Sequence, residues 1–260
     1  KFRSQADVEK QCRSDKEMPA NEPAFRNLIL NQRVEMQSPF VSQSVWKQNG
    51  GICGPIEGKK VWGGLDLSSV HDLTAMVLVS EDGGVHSEFW LPEQGLREKA
   101  KKDRVPYDVW KKQGFLNTTP GKAIEYEFIA EFLRGLFDRC DVQAMGFDRY
   151  NMIHLKPWLV KVGFSEEELE KFIPFGQGTV SMTPALRELE VKLLGAQLRH
   201  GDHPVLEMCA KNATVVGDSG ARKFDKKKQT RRIDGMVALA MAVGVMPVVD
   251  ETPIPGIYIL

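Results

Sequence analysis

The sequence predicts an α/β fold: a mixed sheet, antiparallel over its first three strands and parallel afterwards, with helices on both faces. Three observations predict it. Two apolar runs are joined by Glu81-Asp82-Gly83-Gly84, the mark of a tight antiparallel hairpin. Residues 142–147 are apolar except for Gln143, as expected of a strand largely covered on both faces. Helical periods surround that run and alternate with short strand signals, which is the pattern of a sheet layered between helices.

The elements follow in order. Residues 1–25 are mostly polar and charged with no convincing apolar period, and read as a linker or short helix left from something upstream. The stretch 26–60 carries scattered anchors (Leu28, Leu30, Val34, Phe40, Trp46) before Gly50-Gly51, the pattern of an extended connecting arm. The main domain is expected over 61–247. Residues 61–68, 73–80 and 85–91 are its first three strands, and 92–122 is a long basic connection of the kind that carries function. Ile124 and Tyr126 suggest a short strand. Residues 127–140 have helical period, with Phe128, Ile129, Phe132, Leu133 and Leu136 on one face. After the 142–147 strand, 151–162 reads as a helix with Pro157 as a break point, and 171–175 as a short strand. A strong helix lies within 181–199, with Thr183-Pro184 as its cap and first helical position. Residues 205–212 are helical, and 214–227 form a hairpin turning at 217–220. Residues 233–245 have no charge after Asp234 and form a buried helix that Pro247 ends; 248–260 are a C-terminal tail.

Charge distribution constrains function more than composition does. The 260-residue chain is 42% hydrophobic, enough for a real core, and its formal net charge is zero. Yet residues 97–112 hold seven Lys/Arg against three acids, and 222–232 hold seven against one. Clustered base on a neutral chain fits a one-sided phosphate footprint, although solvated loops give the same pattern. Lys99, Lys101, Lys102, Arg104, Lys226, Lys228, Arg231 and Arg232 are therefore the candidate DNA contacts. The cysteines Cys12, Cys53, Cys140 and Cys209 are far apart and form no C-x-x-C pair, which argues against a zinc site or disulfide framework and for a reducing compartment. No apolar run approaches the roughly 18 residues of a membrane span. No secretory signal opens the chain. It begins with Lys rather than Met and is expected to be part of a longer protein.

Three aspartates stand at the edges of apolar runs: Gly63-Gly64-Leu65-Asp66-Leu67-Ser68, Gly146-Phe147-Asp148-Arg149-Tyr150 and Arg232-Ile233-Asp234-Gly235. A carboxylate there is costly unless something cationic meets it. Phosphodiester hydrolysis needs an activated water and a stabilised leaving oxygen, and two divalent ions about 3.5–4 Å apart supply both. Hard ions such as Mg²⁺ or Mn²⁺ take carboxylate oxygen. Two strand ends and a helix start can converge on such ions, so Asp66, Asp148 and Asp234 are the candidate catalytic and metal-ligating residues. Singly, each has a plainer reading: Asp148 or Asp234 as a helix cap, Asp66 as an Asx turn. Lys227 and His203 are auxiliary candidates; Lys227 lies shortly before Asp234, and His203 pairs with His200 around Gly201-Asp202. Glu125 and Glu127 are candidates for a fourth carboxylate. Gly58-Lys59 is no phosphate loop, because Cys53 stands where the first glycine is needed and no Ser/Thr follows the lysine.

These residues resemble a known family, the nuclease domain of tailed-phage terminase large subunits. Gly63-Gly64-Leu65-Asp66-Leu67-Ser68 followed by Asp72-Leu73-Thr74-Ala75 looks like its first-strand motif, Gly146-Phe147-Asp148-Arg149-Tyr150 its central-strand motif, and Arg232-Ile233-Asp234-Gly235 with Ala238-Leu239-Ala240 its terminal-helix motif. The likeness spans about residues 25–246, including an arm ending in Trp46. It implies an RNase H-like fold and a metal-dependent endonuclease, with Mg²⁺ or Mn²⁺ (two ions) held by Asp66, Asp148 and Asp234. It further implies double-stranded DNA as substrate, an ATPase motor upstream in the same protein, portal and small terminase subunit as partners, and the host cytoplasm during viral assembly as location. Two alternatives use the same residues: another RNase H-like nuclease (a Holliday-junction resolvase or transposase core), and a non-catalytic DNA-binding or assembly domain.

Overall fold

A computed structural model of the chain describes residues 4–17, 39–68, 72–218, 220–225 and 232–247. The expected tail 248–260 and the first part of the arm, 26–38, lie outside them. Helix α1 (Gln5–Glu17) opens the chain. The rest of the arm is not simply extended. Ser42 caps a short helix, α2 (Gln43–Gln48), by accepting from the Val45 N–H. Phe40, Val41, Val45 and Trp46 are then buried in the main core. These side chains are large and apolar, so leaving the segment as a loose arm would expose them to water.

The first three strands are β1 (Lys60–Asp66), β2 (Thr74–Ser80) and β3 (Val85–Pro92), an antiparallel meander as expected. The basic connection that follows is not a loop. It holds α3 (Leu96–Asp103), α4 (Tyr107–Lys112) and β4 (Asn117–Thr119), and β4 runs parallel to β3 at the sheet edge. The expected strand at Ile124 and Tyr126 does not form. Tyr126 opens α5 (Tyr126–Arg139), because Ile129, Ala130, Leu133 and Leu136 continue one buried helical face from it. β5 (Asp141–Phe147) lies parallel beside β1, and α6 (Arg149–Lys161) follows. Pro157 sits inside α6 without ending it. The residue whose carbonyl it leaves unbonded, Ile153, is solvent-exposed, so water can serve that carbonyl.

α7 (Glu166–Glu170) leads to β6 (Phe172–Pro174), parallel to β5. α8 (Thr179–Leu194) starts upstream of the expected cap, so Thr183 and Pro184 lie within it. The Thr183 hydroxyl, expected to cap, instead donates to the Thr179 carbonyl at 2.6 Å. α9 (Pro204–Asn212), the hairpin β7 (Val215–Asp218) and β8 (Ala221–Phe224), and α10 (Asp234–Gly244) complete the chain.

The main sheet has the order β4-β3-β2-β1-β5-β6. It is antiparallel across β1–β3 and parallel from β1 through β5 to β6, the mixed RNase H-like arrangement. β2 is buried along its whole length because both faces are covered. On one face α5 and α6 close over Val61, Leu65, Met76, Leu78, Met145 and Phe147. On the other, α8, α9 and α10 close over Ala75, Val77, Val79 and Phe89. α10 is apolar all round and buried from Gly235 to Val243, as a helix wrapped on every side must be.

Candidate active site

The placement of the site begins with two glycines. Gly64 in β1 and Gly146 in β5 are register partners, and α10 lies directly on them. A Cβ at Gly64 would fall 1.9 Å from the Ala238 carbonyl oxygen, and one at Gly146 would fall 3.3 Å from that of Met241. Side chains alternate along a strand, so Asp66 and Asp148, each two residues beyond its glycine, belong to the face that α10 covers. The last register pair is Leu65 with Phe147, which makes Asp66 and Asp148 the next neighbours on adjacent parallel strands. Strand spacing then puts their Cα atoms roughly 5 Å apart. Asp234 is the first residue of α10, one turn before the Ala238 that rests on Gly64. Both Asp66 and Asp234 act on the buried Cys209 thiol: its pKa is raised first by burial, then by Asp234, and to a smaller extent by Asp66.

The structure thus brings the three aspartates to one edge and one face of the sheet. Asp66 and Asp148 are each held by a neighbouring donor. Asp66, only 6% exposed, accepts from the Gln177 amide at 2.9 Å. Asp148 caps α6 by accepting from the Tyr150 N–H at 3.3 Å. Among the described residues, no three His, Cys, Asp or Glu side chains stand close enough together to hold a metal ion. The donor set itself, three carboxylates converging in backbone position, suits a hard divalent cation. A cleft of about 880 Å³ opens beside it, lined by Asp148, Arg149, Tyr150, Gln177, Lys223 and Asp225 among others.

The remaining candidates fall elsewhere. His203 caps α9 and packs against Phe89 and Phe115, and burial pushes its pKa down to about 4, so it is neutral at pH 7. His200 is buried, stacked on Trp46 at 4.1 Å and bonded to the Trp46 carbonyl. Glu127 pairs with Lys161, on the helix side of the sheet opposite α10. Lys226, Lys227, Lys228 and Arg231 lie outside the described residues. Lys101, Lys102 and Arg104 are exposed. Lys99 is half-buried and pairs with Asp103 at 3.4 Å. All four cysteines are free, and no described helix is long and apolar enough to cross a membrane.

Arg232 differs most from its expected role as a DNA contact. Its guanidinium is largely buried and bonds Asp72, in the β1–β2 connection, and Asp103, at the end of α3. Asp103 also accepts from the Tyr107 hydroxyl at 3.2 Å. Arg232 therefore fastens the start of α10 to the β1–β2 connection and to the end of α3, and sets that basic helix beside Asp234. Arg232→Ala should strip the buried Asp103 carboxylate of one of its two cations and cost about 2 kcal/mol, less than for an isolated buried pair because Lys99 and Tyr107 remain. Chemical denaturation should show the loss, and an unchanged midpoint would refute the anchoring role.

Sequence reasoning missed Gln177, Lys223 and Asp225. Nothing in a Gly-Gln-Gly triplet or a hairpin arm marks them; the sheet order does.

The mixed sheet and its strand-end acids define a class, an RNase H-like domain with an acidic edge under a buried helix. The chain belongs to the family described as terminase large subunit, endonuclease domain, whose model matches residues 2–248. It is 45% identical over 251 residues to the terminase large subunit of Enterobacteria phage HK97, covering 94% of this chain and 48% of that protein. It is 25% identical over 248 residues to the terminase large subunit of Lactococcus phage SK1, covering 90% of this chain and 45% of that one. The crystal structure of the HK97 large terminase superposes with a TM-score of 0.74 at 44% identity, covering 94% of this chain and 51% of that chain. The chain spans about half the length of the relatives it matches.

Proposed function

We propose that this chain is a divalent-metal-dependent endodeoxyribonuclease that cuts concatemeric double-stranded viral DNA during packaging. The observation that carries the reading is the shared edge and face of Asp66, Asp148 and Asp234, set by the β1–β5 register and by α10 resting on Gly64. Asp66, Asp148 and Asp234 would hold Mg²⁺ or Mn²⁺, two ions being expected. Bound there, such ions would activate water and stabilise the leaving oxygen of the scissile phosphodiester.

The chain's own residues do the rest. Gln177 holds the Asp66 carboxylate, and the α6 amide end holds Asp148. Arg149 and Lys223 line the cleft, where cations meet phosphate oxygens without regard to base sequence. Lys101, Lys102 and Arg104 extend the basic surface along α3, beside the start of α10. An ATPase motor in the same protein, the portal and the small terminase subunit are the proposed partners, in the host cytoplasm.

The protein should nick supercoiled plasmid in millimolar Mn²⁺ or Mg²⁺ and be inert in EDTA. Equal cutting with and without chelator would remove the metal from the mechanism. Preferential cleavage of branched over linear duplex would move the chain to junction-resolving chemistry. The footprint also predicts salt sensitivity, and Lys101→Glu/Lys102→Glu should weaken duplex binding about tenfold at low salt while leaving the melting temperature alone. Fluorescence anisotropy on labelled duplex reads this directly, and unchanged affinity would take α3 off the DNA surface.

A further inference from the structure

We infer that Gln177 is a positioning residue for the acidic edge, fixing the Asp66 carboxylate in the orientation that a cation needs. The inference rests on the nuclease reading above and adds to it a residue that acts through Asp66 rather than on DNA or metal directly. The loop after β6 begins with a tether: the Phe175 N–H donates to the Phe147 carbonyl at 2.8 Å, immediately before Asp148. Two residues on, the Gln177 Nε2 donates to Asp66 Oδ1 at 2.9 Å. β6 pairs with β5, and β5 pairs with β1, so this side chain crosses the end of one strand to reach the next but one. One short loop thereby grips both strand ends that carry the acids. An ionised carboxylate can only accept, so the contact requires the amide nitrogen to face Asp66.

Gln177 also lines the cleft with Asp148, and its loop leads straight into α8, whose first residue is Thr179. The grip is consequently backed by a long helix. A hydrogen bond that orients a ligating carboxylate usually governs metal affinity 10–100-fold. The effect should fall on metal affinity far more than on the chemical step.

The test compares Gln177→Ala and Gln177→Met with wild type. Methionine fills the same space and offers no donor, so it separates hydrogen bonding from packing. Mn²⁺ titration followed by thermal shift, without DNA, gives the half-saturating concentration. We expect it to rise about 10–100-fold in both variants, with metal-free melting temperatures close to wild type and nicking largely restored at saturating Mn²⁺. A half-saturation within twofold of wild type in Gln177→Met overturns the inference. So does a maximal nicking rate that stays low at saturating Mn²⁺. A wild-type protein that neither binds Mn²⁺ nor nicks overturns the nuclease reading and this inference together; normal wild-type binding with an unaffected variant overturns this inference alone.

Discussion

Asp148→Ala should leave the domain folded and lower plasmid nicking by roughly 10³-fold or more, the scale of losing several kcal/mol of transition-state charge stabilisation. The structure supplies a sharper comparison than alanine alone. Asp148 already has a structural task, since it accepts from the Tyr150 N–H at the start of α6. Alanine removes both the cap and the charge; asparagine keeps the cap and removes the charge. If metal ligation is the residue's work, both variants lose nicking, while only Asp148→Ala loses about 1 kcal/mol of stability. If capping were its whole work, Asp148→Asn would match wild type in both measurements. Full nicking by a folded Asp148→Asn protein would falsify the catalytic assignment. The same reasoning extends to Asp66→Asn, which should be still less silent structurally, because Asp66 is buried where Asp148 is half-exposed and an amide there must re-sort its bond with Gln177.

Much of this architecture was legible in the sequence, because strand ends were punctuated. Asp66, Asp148 and Asp234 each stand at the edge of an apolar run, Asp66 and Asp148 where one stops and Asp234 where one starts, because a carboxylate is costly inside it. The meander was legible from its turn, and α10 from thirteen residues with a single charge at their head. What was not legible depended on partners distant in the chain. The basic stretch 222–232 reads as one exposed patch, a phosphate footprint or a solvated loop, yet Arg222 is buried against Glu190 and Arg232 against Asp72 and Asp103. Charge counts along a sequence cannot register a carboxylate that lies 160 residues away. Thr183-Pro184 has the composition of a helix start, but α8 begins one turn earlier, at Thr179, and the Thr183 hydroxyl donates back to the Thr179 carbonyl instead of capping. Gln177 was invisible because its meaning arises only once β6 is placed next to β5.

Gly64→Ala should be among the most damaging single substitutions available in this fold, costing about 3 kcal/mol. A methyl group there would meet the Ala238 carbonyl oxygen at 1.9 Å and the Ala242 nitrogen at 2.8 Å, both in the backbone of α10. Backbone cannot rotate aside, so the helix must lift from the sheet, and forced overpacking of this kind costs 1–3 kcal/mol or more. For a domain of this size that is a fall of roughly 6–12 °C in melting temperature. Gly63→Ala is the internal control. Its added Cβ would meet the Met145 sulfur and the tip of Leu78, flexible groups that can move, so about 1 kcal/mol is expected. The two glycines are adjacent on one strand and face opposite sides of the sheet, so strand propensity is matched and only the neighbour differs. Lifting α10 would also carry Asp234 away from Asp66 and Asp148, and the Gly64 variant should need more Mn²⁺ for half-maximal stabilisation even when assayed well below its melting point. Equal melting temperatures for the two variants would mean that the helix does not rest on Gly64, and would remove the contact that brings the third aspartate to the other two.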